Sequence, residues 1–310
     1  MKTFRFVLFL FLTSTFAIAQ NENDKIVYTD SLWVEIGKQY HTHYNIITDY
    51  HLDLPEYQMT YFYKSGKIQM KGKITDKDQL TKKGTFVAYA ENGNKISLIN
   101  FVNSEPVGNF YSWYDNGTLK TEGEYLKRAK GDFKFVKEKK IFQHWTTDGK
   151  HVVVDGNGYY DDSDRGVITS GKITNGVKDS IWNGKTIEFA TTFIETYKDG
   201  KLISGVSTDK KGNKYPYDNV FIGPKSKKGE NDFNEHIRGN IRTEEINGRI
   251  ILRFSVETDG SVSDVQVIQS LNKMYDDEAT RIVRSYKHWS PAEIRGIKIR
   301  ASYTLPITIR

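Results

Sequence analysis

Cysteine is absent from this 310-residue chain. That excludes disulfide staples, thiolate metal sites and a cysteine-borne lipid anchor, so packing alone must hold the folded parts together. Proline is scarce, with 6 in all. Long apolar stretches are scarce too: outside residues 6–16, no run could span a bilayer. Reaction signatures are also missing. There is no nucleophile elbow, zinc helix, phosphate loop or dinucleotide fingerprint, and no pair of carboxylates stands apart as an acid and a base. The expectation is a protein that binds rather than catalyses, with no cofactor and no metal.

The apolar run itself has a recognisable form. Lys2 and Arg5 precede it, and Ala17-Ile18-Ala19 before Gln20 has the small-x-small pattern cut by signal peptidase. Residues 6–19 number 14, fewer than the roughly 20 a membrane helix requires. Residues 1–19 are therefore expected to be a cleaved signal peptide, delivering the chain to the periplasm or outer envelope rather than anchoring it in the inner membrane. Cleavage removes two bases and no acid, so the formal charge falls from +6 to +4. That excess is too mild to predict a nucleic-acid partner.

Aromatic residues are abundant and periodic. Tyr61-Phe62-Tyr63-Lys64-Ser65-Gly66-Lys67, Tyr89-Ala90-Glu91-Asn92-Gly93-Asn94-Lys95 and Tyr111-Ser112-Trp113-Tyr114-Asp115-Asn116-Gly117 vary one phrase: aromatics, a polar-glycine turn, then often lysine. Trp145-Thr146-Thr147-Asp148-Gly149-Lys150 and Tyr197-Lys198-Asp199-Gly200-Lys201 continue it. Each hairpin puts its rings on one face, cannot bury them alone, and buries them by stacking on its neighbour. The stretch resembles the MORN-like repeats of bacterial envelope proteins from 57 to 217. The resemblance puts Gly84, Gly108 and Gly131 at a second, inter-unit turn. Residues 20–56 show no clear period and are expected only to lead into the sheet.

The last part is the most specific. Ile250, Leu252, Phe254 and Val256 alternate with Ile251, Arg253, Ser255 and Glu257, the pattern of a strand with one buried face. Asp259-Gly260 is a hairpin signal, followed by Val262, Val265, Val267 and Ile268 in a return strand. Ala279, Ile282, Val283 and Tyr286 then fall at helical spacing, with acids crowding the start and Arg284, Lys287 and His288 the end. Pro291 stops the helix, and Ile297, Ile299, Ala301, Tyr303 and Leu305 predict a closing strand. With Asp277-Glu278-Ala279, Trp289-Ser290-Pro291-Ala292, Gly296 and Tyr303-Thr304-Leu305-Pro306-Ile307, these residues resemble the C-terminal domain of TonB. Residues 232–310 are thus expected to form a small α+β domain, joined to the repeats by a mobile linker at 218–231.

The expected fold is mostly β: an N-terminal elongated antiparallel β-sheet of MORN-like hairpin repeats plus a C-terminal α+β TonB-like domain. The resemblance implies binding of an envelope protein or a segment of an outer-membrane transporter, with a link to TonB-dependent transport. The mode it implies is β-strand addition, which needs unpaired backbone groups. The expected edge is Ile297, Lys298, Ile299, Arg300, Ala301, Ser302 and Tyr303, basic through Lys298 and Arg300. The same edge would permit a homodimer. A second reading makes the repeat sheet the working surface and the TonB-like domain its cap. His41, His43 and His51 lack a third ligand at a recognisable spacing. The 155–164 run fails as a calcium loop because Tyr159 and Tyr160 occupy positions that need an oxygen ligand and glycine.

Overall fold

The computed structural model describes residues 21–31, 34–126, 139–164, 166–229, 231–241 and 247–309. The expected signal peptide and Gly131 lie outside them. The chain divides into two compact units, residues 1–140 with 145–151, and residues 141–144 with 152–310.

Sixteen strands form one antiparallel sheet whose order is the order of the sequence. Residues 20–56 supply β1 (Lys25–Thr29) and β2 (His43–Ile47), which start it. Then come β3 (Tyr57–Tyr63), β4 (Ile68–Ile74), β5 (Lys82–Tyr89), β6 (Lys95–Val102), β7 (Glu105–Trp113) and β8 (Leu119–Tyr125). They are followed by β9 (Lys139–Trp145), β10 (His151–Val154), β11 (Asn157–Asp164) and β12 (Val167–Thr174). The sheet ends with β13 (Val177–Thr186), β14 (Thr191–Lys198), β15 (Lys201–Thr208) and β16 (Lys214–Tyr217).

One turn closes hairpin after hairpin. Tyr63 N–H donates to the Lys67 carbonyl and Gly66 N–H to the Tyr63 carbonyl, both at 2.9 Å. The same pair of bonds recurs at Ala90 with Gly93, Tyr114 with Gly117, and Thr146 with Gly149. Gly66 and Gly93 take φ of +84° and +92°, a region closed to most side chains, so this turn requires the glycine. Tyrosine hydroxyls then couple one unit to the next: Tyr63 donates to the Tyr89 carbonyl at 2.9 Å, and Tyr114 to the Trp145 carbonyl at 2.8 Å.

The inter-unit expectation needs correcting. Gly84 and Gly108 lie inside β5 and β7 with positive φ, while β6 turns into β7 at Asn103 and Ser104, whose φ values are +49° and +64°. A two-residue turn with both φ positive matches strand twist, and asparagine tolerates it. The 155–164 run makes a turn at Asp155 and Gly156 and is strand thereafter.

In the second unit, rings lie flat on glycines of the neighbouring strand. Gly171 faces Trp182 and Gly184 faces Phe193 across the ladder, and a methyl group at either glycine would overlap the ring. Gly205 receives Tyr217 in the same way. Trp182 is fully buried, its indole N–H donating to the Lys172 carbonyl at 3.0 Å, with the Lys178 ammonium 4.2 Å above the ring. Rings stacked on neighbouring glycines, with the lysine over Trp182, thus bury this part of the sheet face.

The C-terminal α+β region belongs to the same unit. It contains α1 (Asp232–Asn240), β19 (Gly248–Val256), β20 (Val262–Gln269), α2 (Lys273–Ser285) and β24 (Ala301–Ile309). Between the sheet and this region lie β17 (Phe221–Ile222) and β18 (Lys225–Ser226); after α2 come β21 (Trp289–Ser290), β22 (Ala292–Ile294) and β23 (Ile297–Ile299). Within the segment expected to be a mobile linker, residues from Val220 to Lys227 are paired. Phe221 and Ile222 face Ile294 and Glu293, and Lys225 and Ser226 face Ser290 and Trp289. Arg295 N–H donates to the Val220 carbonyl at 2.8 Å and Lys227 N–H to the His288 carbonyl at 2.7 Å.

Candidate partner-binding edge

The strands β20, β19 and β24 form a three-stranded sheet in that spatial order, with β19 in the centre. Ile250, Leu252, Phe254 and Val256 of β19 are fully buried and meet Tyr275, Ala279, Ile282 and Val283 of α2. The helix begins where Asn272 accepts the Tyr275 N–H at 3.0 Å, a side-chain N-cap. Trp289 is 2% exposed and lies among Phe233, Phe254, Tyr286 and Tyr303, with ring centroids 4.6, 5.7, 5.5 and 5.3 Å away. The Tyr286 hydroxyl donates to Asp232 at the start of α1 and is also hydrogen-bonded to the hydroxyl of Ser226, from the paired segment. Burial and the Asp232 bond push the Tyr286 hydroxyl up to about 12, while that bond holds the Asp232 carboxyl below its ordinary value.

β24 pairs with β19 over its whole length, from Ala301 opposite Val256 to Ile309 opposite Gly248. Among the described residues no strand lies on its other flank. Leu305, Ile307 and Ile309 are buried, whereas Ser302, Thr304, Pro306 and Thr308 are exposed. Pro306 fixes which backbone groups are free. Proline has no N–H, and in a paired strand it sits where its nitrogen faces away from the partner. Backbone direction alternates along a strand, so Ser302, Thr304 and Thr308 turn their N–H and C=O groups outward with it. The Arg249 carbonyl, opposite Thr308, agrees: it points toward β20 and accepts from the Gln269 amide at 3.5 Å.

The seven expected edge residues do not form one strand. Ile297, Lys298 and Ile299 make β23 and pair with β22 in a separate ribbon. Arg300 is the break between β23 and β24, and only Ala301, Ser302 and Tyr303 lie on the free edge. The period-two pattern runs through the break because both strands alternate. Arg300 is also not a free cation: its Nε donates to Glu257 at 2.8 Å and its terminal nitrogen to Asp264. The Ser263 hydroxyl, and then Arg300, hold the Glu257 carboxyl below its ordinary value.

Sequence reasoning missed Thr304, Pro306 and Thr308 as edge residues, although a proline inside an alternating run is itself an edge signal. It also missed the β22–β23 turn. Arg295 takes a φ of +50° and Gly296 +75°, a two-residue hairpin tip that sits against Tyr215 and Pro216 of β16. Arg295 Nε donates to Glu195 of β14 at 2.9 Å, and its guanidinium lies 4.1 Å over the Phe193 ring. Glu195 is fully buried and accepts from the Tyr197 and Tyr217 hydroxyls, both at 2.9 Å. Burial, then the Glu195 charge, raises both phenols.

The histidines singled out by density lie against different tyrosines: His41 beside Tyr28 and Tyr44, His43 beside Tyr63, His51 beside Tyr50. Among the described residues, no helix is long and apolar enough to cross a membrane.

A helix-backed three-stranded sheet, with no further strand on the outer flank of β24 or of β20 among the described residues, defines a module suited to holding extended chain. Residues 240–309 match the family model for the Gram-negative bacterial TonB protein C-terminal. The match supports a TonB-like module of an envelope protein. No curated protein matches the chain.

Proposed function

We propose that this is a non-enzymatic, exported envelope protein whose TonB-like module captures an extended segment of an outer-membrane transporter or another envelope protein by strand addition. The observation that carries this reading is the bare flank of β24, with three outward N–H donors at Ser302, Thr304 and Thr308. Added strands draw affinity from such main-chain bonds. The same flank gives the chain a route to a homodimer. The signal peptide at 1–19 is part of the proposal, and intact mass of the native protein tests it: retention of Met1 would contradict cleavage. Titration of the mature chain with plug-domain peptides from transporters of its own organism tests the binding. Absence of binding at millimolar peptide would remove the idea.

A second reading is favoured by the Arg295 contact with Glu195. In it, the MORN-like repeat sheet is the partner surface and the module docks on its end as a cap, without energy transduction. A chain lacking residues 232–310 should then still retain its partner in a pull-down, whereas strand addition by the module predicts loss.

A further inference from the structure

We infer that the strand taken up by β24 is acidic, carrying two carboxylates four residues apart on its solvent face. The inference rests on the strand-addition reading and deepens it by naming the chemistry of the partner. β19 presents Arg249 and Arg253 on the face away from the helices, and both are exposed. Arg253 stands opposite Thr304 and Arg249 opposite Thr308, the two positions whose backbone groups also face the bare flank. On its other side Arg253 faces Gln266 of β20, so neither ladder neighbour of Arg253 carries a charge. Among the described residues no ion pair engages Arg249 or Arg253. The contrast with their neighbours is informative. Arg300 is held by Glu257 and Asp264, Arg295 by Glu195 and Arg281 by Glu278.

Strands lie about 4.8 Å apart, so a strand added to β24 would run about 9.6 Å from β19. A residue opposite Thr304 on that strand shares its face with Thr304 and Arg253. The side chain between them is only a threonine, and the same holds for Arg249 and Thr308. An arginine can therefore lie across β24 and meet an aspartate or glutamate of the added strand in bidentate form. Thr304 and Thr308 are four residues apart, which sets the spacing of the two acids. Ser302, opposite Ser255, offers no cation, so the charged part of the site begins at Thr304.

The test uses the full mature chain and two short peptides. One alternates valine with polar residues and carries two aspartates four positions apart; the other replaces both with asparagine. Two rim charge pairs predict roughly tenfold tighter binding of the acidic peptide at low salt, with the difference shrinking as salt is raised. The R249Q/R253Q chain, which changes only exposed side chains, should bind both peptides equally. The R249E/R253E chain should prefer a lysine-bearing counterpart. Equal affinity of wild type for the acidic and neutral peptides would overturn the acidic partner and leave strand addition standing. Failure of both peptides to bind at millimolar concentration would overturn strand addition itself. An acidic preference that survives in R249Q/R253Q would place the charge contact elsewhere and overturn the assignment of these arginines.

Discussion

Arg295 and Glu195 lie a hundred residues apart in the chain, yet the arginine Nε donates to the carboxylate at 2.9 Å in a site where Glu195 is fully buried. The contact fastens the hairpin tip of β22 and β23 to β14, and the Tyr197 and Tyr217 hydroxyls complete the hydrogen bonding of the carboxylate. Within this unit the TonB-like module is therefore not held by its covalent connection alone. The paired segment from Val220 to Lys227 adds a second attachment.

Removing one member of a buried ion pair leaves an uncompensated charge, at a cost of about 3–5 kcal/mol. Glu195→Ala should therefore destabilise the second unit by that order, seen as a lower denaturation midpoint. Replacing both residues by apolar ones of similar volume, E195M with R295L, should recover most of the loss. If E195A leaves the midpoint unchanged, the pair does not hold the hairpin tip.

The rings lying on glycines make a separate claim about stability. Gly171→Ala or Gly184→Ala drives a methyl into Trp182 or Phe193 and should cost about 1–3 kcal/mol by overpacking. Gly239 in α1 has open space around its Cα and no positive φ, so Gly239→Ala should be neutral or stabilising by up to about 1 kcal/mol. Urea denaturation of the three variants separates a steric role from a merely conformational one.

What the sequence made legible was local. The alternation of β19, the Asp259-Gly260 turn, the apolar face of α2 and the repeated turn glycines each depend on residues within a few positions of one another. What it hid was long-range. Gly171 looks like an interruption of β12 until the register puts it under Trp182. Residues 218–231 read as a linker because their proline, glycines and lysines are turn-like, but the partners of Val220 to Lys227 lie some seventy residues on, at 288–295. Period two cannot show that one alternating run belongs to two sheets, which is why Arg300 was expected within an edge strand rather than at a corner between strands. The Arg295 contact with Glu195 carries no local signal at all.

The turn joining β15 to β16 should make the adjoining structure acid-sensitive. The Asp209 carboxylate accepts from the Lys211 and Asn213 N–H groups, the Asn213 amide and the Tyr215 hydroxyl. The Asn213 amide is the foremost cause that pulls it from 3.8 to about 2. A depressed carboxyl contributes stability that is present above the unfolded value and lost as pH falls through the folded one. Protection of the β16 amides, taken relative to their intrinsic exchange rates, should therefore fall between about pH 4 and pH 2, and Asp209→Asn should remove that step. Because Tyr217 of β16 donates to Glu195, loosening this hairpin also weakens the grip on Arg295.

Pro306 gives the sharpest test of which rim is used. It interrupts the outward donors between Thr304 and Thr308, so an incoming strand meets a carbonyl but no N–H at that point. Such an interruption also protects the edge against pairing with another copy of the chain. Pro306→Thr restores the missing donor without touching the buried face, since position 306 is exposed and its neighbours Leu305 and Ile307 point inward. One added hydrogen bond contributes about 1 kcal/mol, so peptide affinity should rise roughly fivefold. Self-association, measured by sedimentation, should rise with it. If neither changes while wild type still binds peptide, the added strand lies on β20, the opposite flank of the same sheet.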